Sequence, residues 1–323
     1  MRILITGGTG ALGRALVARL LHNPLVDRLA ILSRDEHKIK ALCDQYRNAF
    51  ALRTFVGCIR DRDRLELACS GVDAVIHAAA LKRVDADIND TSELDKTNVQ
   101  GTINVLHAAL SAGVRKVLLI SSDKAVHPAN AYGTSKMMAE LHTVGFNSYS
   151  VPKGLRCSAV RYGNVFASTG SVVHIWRKQI ADGQCLTVTD PRMTRFHLTL
   201  AQAAEFVITS IQRMRGGEIF VPILPSFRLY DLAQAMTPRP DRTIAITGLR
   251  PGGEKLHESL LSDEEPLRTM FDQDRYCVKP SHQSWSDAPY PGVPVKPDMI
   301  YRSDVNDKWL SADDLRVLLK ETP

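Results

Sequence analysis

Five short runs in the first part of the chain, RILIT, LAILS, RTFVG, DAVIHAAA and KVLLISS, are rich in Ile, Val and Leu and lack polar alternation. Strands read this way when both faces are buried, as in a parallel sheet covered by helices on each side. Helical patterns lie between them, LGRALVARLLHN and NVQGTINVLHAALSAG, the second ending at Gly113, a residue suited to closing a helix. Repetition of strand, helix, strand predicts right-handed crossovers and an α/β fold with a doubly wound parallel sheet. GLRCSAVRYGNV reads as a sixth strand. Past about residue 165 the alternation weakens: strand-like CLTVTD, EIFVPI and RTIAITG mix with helical LAQAAEFVITSIQRM and LYDLAQAM. The Pro-rich segment from Pro280 to Pro297 reads as an ordered surface loop, because a further helical pattern, SADDLRVLLK, follows it.

The turn after the first run is TGGTGALG, Thr6 to Gly13. Gly7, Gly10 and Gly13 form G-x-x-G-x-x-G between a strand and an amphipathic helix. Their absent side chains permit a tight turn, approach of backbone to a pyrophosphate, and close packing of helix on strand. Thr9, Ala11 and Leu12 complete the turn, and the helix start offers free N–H groups and a positive dipole end to an anion. The pattern predicts a Rossmann-like dinucleotide-binding domain over 1–165. A smaller mixed substrate-binding region is expected over 166–323, partly interleaved with the first. The end of the second run bears on which dinucleotide binds. An acid there would hold a free ribose 2′-hydroxyl, whereas ILSRDE supplies Ser33 and Arg34, with Arg14 just beyond the glycine turn. Hydroxyl and guanidinium favour a 2′-phosphate, hence NADP, although Asp35 would reach the ribose if the strand ran on.

The 323 residues are 44% hydrophobic and 24% charged, enough for a sizeable core. The formal charge of +6 is spread along the chain rather than gathered in a stripe, which fits small multiply anionic ligands and argues against nucleic acid. No apolar run approaches the ~18 residues of a membrane span, and MRILITGGTG enters a strand-like run at once, so a cytoplasmic protein without a membrane partner is expected. The six cysteines are scattered without a C-x-x-C pair, so neither a disulfide framework nor a metal site is expected.

SSDKAVHPANAYGTSK, Ser121 to Lys136, follows the fifth run, at the carboxyl edge where doubly wound sheets bind ligands. AYGTSKMMAELH reads as a helix, so Tyr132 and Lys136 share a face. That ammonium, with the positive charge of a nicotinamide, would favour the phenolate and let Tyr132 act as a base near neutrality. Ser122 can hydrogen-bond the hydroxyl that Tyr132 deprotonates. Asp123 and Lys124 add two titratable groups that hydride removal from a secondary alcohol does not need.

The glycine turn, the strand-end serines, Y-x-x-x-K and NVQGT at Asn98 to Thr102 together resemble the extended short-chain dehydrogenase/reductase family. With HAAALKRVD, RYGNVFASTGSV, DPRMTRFHLTL, GGEIFVPILPSFRLYDLAQAM, GLRPGGEKLHE and YRSDVNDKWLSADDL, in the same order from residue 3 to about residue 319, the chain is similar to the inverting UDP-N-acetylglucosamine 4,6-dehydratases that open pseudaminic acid biosynthesis. The resemblance implies conversion of UDP-N-acetylglucosamine to a UDP-2-acetamido-2,6-dideoxy-hexos-4-ulose. The steps are C4 oxidation, loss of water across C5 and C6, and hydride return to C6, with NADP regenerated in place. It implies Tyr132 as the C4 base, supported by Ser122 and Lys136, with Lys124 serving proton transfer at C5 and Asp123 the departure of the C6 hydroxyl. Ala78, Ala79, Ala80, Lys82 and Asn98 would contact the cofactor, and Lys82 the substrate as well. Asn164 would lie near the diphosphate, Arg195 and Arg250 would clamp it, and Glu254 or Glu258 would serve the ribose or uridine. Relatives pair through helices, which implies a homo-oligomer, a dimer or larger.

Three departures stand out. Gly57-Cys58 replaces the family's Gly-Asp, so an adenine contact is lost or passed to a residue such as Asp61. Arg83-Val84-Asp85 replaces His-Val-Pro, and Gly253 is an addition within RPGGEK. Other readings on this scaffold are a retaining dehydratase, a UDP-sugar 4-epimerase, a 5,6-ene-forming enzyme, and an NADP-sensing regulator without catalysis. The Asp123-Lys124 pair argues against the epimerase, and the intact Tyr132 and Lys136 against the regulator.

Overall fold

A computed structural model of the protein describes residues 1–47, 49, 51–82, 91–166, 171–237, 244–249, 253–282, 285 and 289–321. The first half runs β1 (Arg2–Thr6), α1 (Ala11–Leu20), β2 (Arg28–Ser33), α2 (Glu36–Gln45), β3 (Leu52–Val56), α3 (Arg62–Cys69), β4 (Ala74–His77) and α4 (Thr91–Leu94). A π-helical turn over Asp95–Gln100 leads into α5 (Gly101–Ser111), β5 (Lys116–Ile120), a 3-10 turn over Asp123–Ala125, α6 (Ala131–Gly145), α7 (Asn147–Ser150) and β6 (Arg156–Val160). Then come α8 (Val172–Ala181), β7 (Leu186–Val188), β8 (Thr194–Phe196), α9 (Leu200–Arg213), β9 (Ile219–Pro222), β10 (Ser226–Arg228), α10 (Leu229–Met236), β11 (Ile244–Ile246), β12 (Thr269–Asp272), β13 (Arg275–Val278), β14 (Val293–Pro294) and α11 (Ala312–Glu321).

The main sheet has the order β14-β12-β13-β9-β6-β5-β4-β1-β2-β3 and is parallel from β9 to β3. This is the Rossmann-like doubly wound arrangement, with its switch point between β1 and β4. Side chains alternate across β1: Ile3 and Ile5 pack on one face with Leu16 and Val207, and Leu4 on the other with Leu65 and Val105. RTFVG departs from the expectation of two buried faces. As β3 it is the outermost strand, half-buried at best, with Val56 46% exposed. The Gly113 closure of α5 forms as expected: at φ 70° it lets its own N–H bond the Leu110 carbonyl and that of Val114 bond the Ala109 carbonyl.

The strand-like pieces after residue 165 take two courses. EIFVPI becomes β9 and pairs parallel with β6, and β13, β12 and β14 add antiparallel to that edge. The end of the Pro-rich segment is therefore tied into the sheet through Val293 and Pro294. CLTVTD and RTIAITG pair with each other as β7 and β11, and β8 pairs with β10. These small sheets pack with α8, α10 and α11 around Trp176, Leu186, Phe227 and Leu315, a second apolar core. A buried ion triad ties the two halves: Arg161, one residue past β6, makes two bonds to Glu140 of α6 and two to Glu265, all between 2.6 and 3.1 Å.

Candidate active site

The glycine turn closes on itself. Gly7 has φ 72°, and a Cβ there would meet the Ala79 backbone at 2.8 Å. A Cβ on Gly13 would lie 2.6 Å from the Gly7 carbonyl oxygen, so the first turn of α1 sits directly against the loop. Gly10 is less confined, its nearest neighbour the Gly7 carbonyl oxygen at 3.3 Å. Gly8, to which the sequence pattern assigned no role, packs against Ile31 as tightly as the others. Helix α1 has neither an acidic residue in its first turn nor a side-chain cap at Gly10, so its leading N–H groups face the cavity side uncompensated. Such a start suits a phosphate.

At the end of β2 the hydroxyls of Thr9 and Ser33 bond each other at 2.7 Å, both buried. Ser33 is thus a tie between turn and strand. Arg14 and Arg34 are exposed on either side. Asp35 does not extend β2: its carboxylate caps α2, accepting from the Lys38 N–H at 3.0 Å. That N–H, and then the Lys38 ammonium at 2.9 Å, hold it below the usual carboxylate value. Asp61, offered by sequence as an adenine contact, is likewise a helix cap, accepting from the Arg64 N–H at 3.0 Å. Asn98 is buried, and its amide brackets the Leu81 backbone and the Ser135 hydroxyl. It shapes the loop behind Ala78–Lys82, where the sequence had it as a cofactor contact.

A cavity of about 590 Å³ opens at the carboxyl ends of β4, β5 and β6. Ala11, Leu12, Ala78, Ala80, Lys82, Ser122, Lys124, Tyr132, Lys136, Asn164, Arg195, Glu254 and Glu258 all border it. Arg250 lies outside the described residues, as do Arg83, Val84 and Asp85. Ladder bonds continue past the end of β5, from the Ser121 N–H to the Val160 carbonyl and from the Asp123 N–H to the Tyr162 carbonyl, fixing the SSDKA segment. Ser122 accepts from the Lys124 N–H at 3.3 Å, capping the 3-10 turn, and donates to Asp123 Oδ1 at 2.8 Å. The Lys124 ammonium donates to Asn164 Oδ1 at 2.8 Å and Asp123 Oδ1 at 3.1 Å, and reaches Glu258 Oε1 at 3.4 Å.

These contacts set the charge states. Burial raises the Asp123 carboxyl, the Glu258 charge raises it further, and Lys124 only partly opposes them. Burial works against the Lys124 ammonium, but Asp123 and Glu258 outweigh it and hold that group above its ordinary value. Glu258 is the reverse of Asp123: burial pushes it up, while Lys124, Arg195 and Lys255 bring it down overall. The two carboxylates are driven apart, Asp123 toward the acid and Glu258 toward the anion.

Tyr132 and Lys136 follow the helical face expected of them, but Lys136 acts differently. Its buried ammonium donates to the Ile120 carbonyl at 2.6 Å, and burial, then Lys82, bring it down to about 8. For Tyr132, burial dominates and raises the phenol. Lys124, not Lys136, is the cation that opposes this, with help from the Ser122 hydroxyl.

Two further site residues have protein partners. Arg195, read as a phosphate clamp, donates through Nη1 to the Thr194 and Leu256 carbonyls at 2.7 and 3.1 Å, while Glu254 and Glu258 lie 3.5 and 3.8 Å away. Glu258, read as a ribose or uridine ligand, stands beside Lys124. Sequence reasoning missed Lys255, whose ammonium donates to the Val126 and Asp123 carbonyls and braces the 3-10 turn. It also missed Gly163, where a Cβ would press on Asp123 Oδ2 at 3.2 Å, and the apolar wall of Phe166, Phe227, Leu229 and Leu232. The added Gly253 has φ 80°, and a Cβ there would strike the Ala129 carbonyl, so it docks Glu254 and Lys255 against the loop before α6.

Comparison with known proteins agrees with this geometry. Residues 3–280 match the family model described as polysaccharide biosynthesis protein. A UDP-N-acetylglucosamine 4,6-dehydratase (inverting) of Campylobacter jejuni is 39% identical, the alignment covering 99% of this chain and 97% of that protein. A UDP-glucose 4-epimerase of Rickettsia massiliae is 37% identical, over 85% of this chain and 82% of that one. Among solved structures, Pen from Bacillus thuringiensis superposes with a TM-score of 0.89 at 32% identity, covering 99% and 98% of the two chains. The chain belongs to the polysaccharide biosynthesis protein family, in the group of extended short-chain dehydrogenases/reductases that contains the inverting UDP-N-acetylglucosamine 4,6-dehydratases.

Proposed function

We propose that the protein is an NADP-dependent hydro-lyase that dehydrates UDP-N-acetylglucosamine across C5 and C6, with inversion at C5. The observation that carries this reading is the buried, hydrogen-bonded Asp123–Lys124 pair: Lys124 borders the cavity with Ser122 and Tyr132, and Asp123 lies directly behind, bonded to both Ser122 and Lys124. A 4-epimerase needs a base for one hydroxyl, whereas elimination of water needs a further acid and a further base. The full-length likeness to the Campylobacter enzyme supports the same substrate and product.

The glycine cradle, the uncapped start of α1, and the exposed Arg14 and Arg34 fit a dinucleotide carrying a 2′-phosphate, since Asp35 is engaged as a helix cap. When bound, the nicotinamide cofactor supplies the acceptor for the C4 hydride and the donor that returns it to C6. Tyr132 takes the C4 hydroxyl proton, with Ser122 holding the oxygen and Lys124 offsetting the cost of a buried phenolate. Once C4 is a ketone the C5 proton is acidified. Lys124 passes its ammonium proton to Asp123 Oδ1, 3.1 Å away, and the resulting amine removes the C5 proton, while Asp123, whose raised carboxyl holds the transferred proton, donates it to the departing C6 hydroxyl. Inversion follows when the C5 proton is returned from the face opposite its removal.

Incubation with UDP-N-acetylglucosamine and NADP+ in D2O, followed by NMR and mass spectrometry, tests this. Loss of water, a C6 methyl and deuterium at C5 in the inverted configuration are expected. The Rickettsia match keeps 4-epimerisation as the second reading, and a C4 epimer without loss of water would favour it and overturn the first.

A further inference from the structure

Glu258 is 3% exposed and borders the cavity beside Lys124, on the segment that follows α10 and β11. Its position is built rather than incidental. Its backbone N–H donates to the Ser303 hydroxyl at 2.9 Å, its carbonyl accepts from the Ser303 N–H at 2.9 Å, and Ser303 is bonded in turn to Thr194 at 2.7 Å. This clamp places Oε1 3.4 Å from the Lys124 ammonium and 3.8 Å from Arg195 Nε. Its other oxygen, Oε2, has no hydrogen-bond partner among the described residues, and neither does Asp123 Oδ2. Two buried carboxylates thus face one ammonium, each with a vacant acceptor atom. Both cannot be ionised without cost in a site this dry.

We infer that Glu258 is a positioning residue that sets the protonation of the acid–base pair: its fixed negative charge keeps the proton on Asp123 and grips the ammonium of Lys124. The inference rests on the dehydratase reading and deepens it. Arg195 from β8 and Lys255 from the same segment face Glu258 and keep its own carboxylate ionised, while Asp123, whose carboxylate is bonded by Ser122 and Lys124 with Tyr132 and Lys255 nearby, is the partner that takes the proton. A ribose ligand would be expected to present its carboxylate to the cavity mouth rather than to a lysine at the catalytic wall.

Glu258→Gln separates these roles. Loss of the charge lowers the proton affinity of both Asp123 and Lys124, so both limbs of the pH–kcat profile should move to lower pH, by about one unit, a tenfold change in proton affinity. Glu258→Asp, keeping the charge but withdrawing it, should move them part of the way. The apoprotein gives an answer independent of turnover: the 13C carboxyl resonance of Asp123 should titrate at least about tenfold more acidic in Glu258→Gln than in wild type. An unmoved Asp123 titration in both variants would overturn the inference, as would a raised KM for UDP-N-acetylglucosamine with unshifted pH limbs. Failure of the dehydratase reading would show differently, as a wild-type protein that does not dehydrate while its Asp123 still titrates as described.

Discussion

Asp123 and Lys124 are neighbours in sequence and partners in space, and the upward displacement of both defines what each can do. A carboxyl raised by burial and by Glu258 can hold a proton for a leaving hydroxyl, and an ammonium between two carboxylates stays charged until the substrate displaces one of them. Lys124→Ala should therefore keep NADP(H) binding, measured by fluorescence titration, yet lose dehydration by about a hundredfold or more, in the range typical of removing a general acid or base. Full activity in that variant would remove Lys124 from the mechanism. The residues of this cluster that were legible in sequence are those held within one strand end and one helix, Ser122 to Lys136. Lys136 was placed correctly, but its partner was not, because the Ile120 carbonyl is a backbone group that no residue pattern advertises.

At the scale of elements, the site depends on how closely α6 meets the 3-10 turn. The Asn130 side chain caps the helix at the Gly133 N–H, and a Cβ on Gly133 would collide with the Lys124 carbonyl. Gly133→Ala should push helix and turn apart, carrying Tyr132 away from Lys124. A displacement of about 1 Å is enough to cost on the order of a hundredfold in kcat. Steady-state kinetics against a melting temperature would separate this from simple unfolding, because a small methyl clash should lower kcat far more than stability. Parallel strands and their crossovers were readable because apolar runs and amphipathic stretches are local signals. Asp35 and Asp61 were harder, since an acid after a strand reads equally as a ribose ligand or as a helix cap, and only the position of the next helix decides. Glu258, Lys255 and Arg195 reach the site across more than sixty residues of intervening chain, a convergence that periodicity does not carry.

For the whole molecule, the Arg161–Glu140–Glu265 triad holds α6, the end of β6 and the segment after Glu258 in one arrangement. Burial weakens the Arg161 cation, but both carboxylates outweigh it and raise it. Arg161→Met would strip its bonds from two buried carboxylates, leaving Glu265 with Arg268 at 3.6 Å, and should cost about 3–5 kcal/mol, read from urea unfolding. The sign of its pH dependence follows. Glu265, held low in the wild type by Arg161 against burial, would rise above its unfolded value, so the variant should regain stability as pH falls and Glu265 takes up a proton. A variant whose deficit grows at low pH would contradict this account. The triad and the β6–β9 pairing also bear on how such enzymes can diversify. A recombination point at residue 165 severs the parallel ladder between β6 and β9, and a transplanted second half brings β9, β12, β13 and β14 into a sheet that another sequence must complete. The two halves are thus not cassettes to be exchanged, because the one sheet needs strands from both.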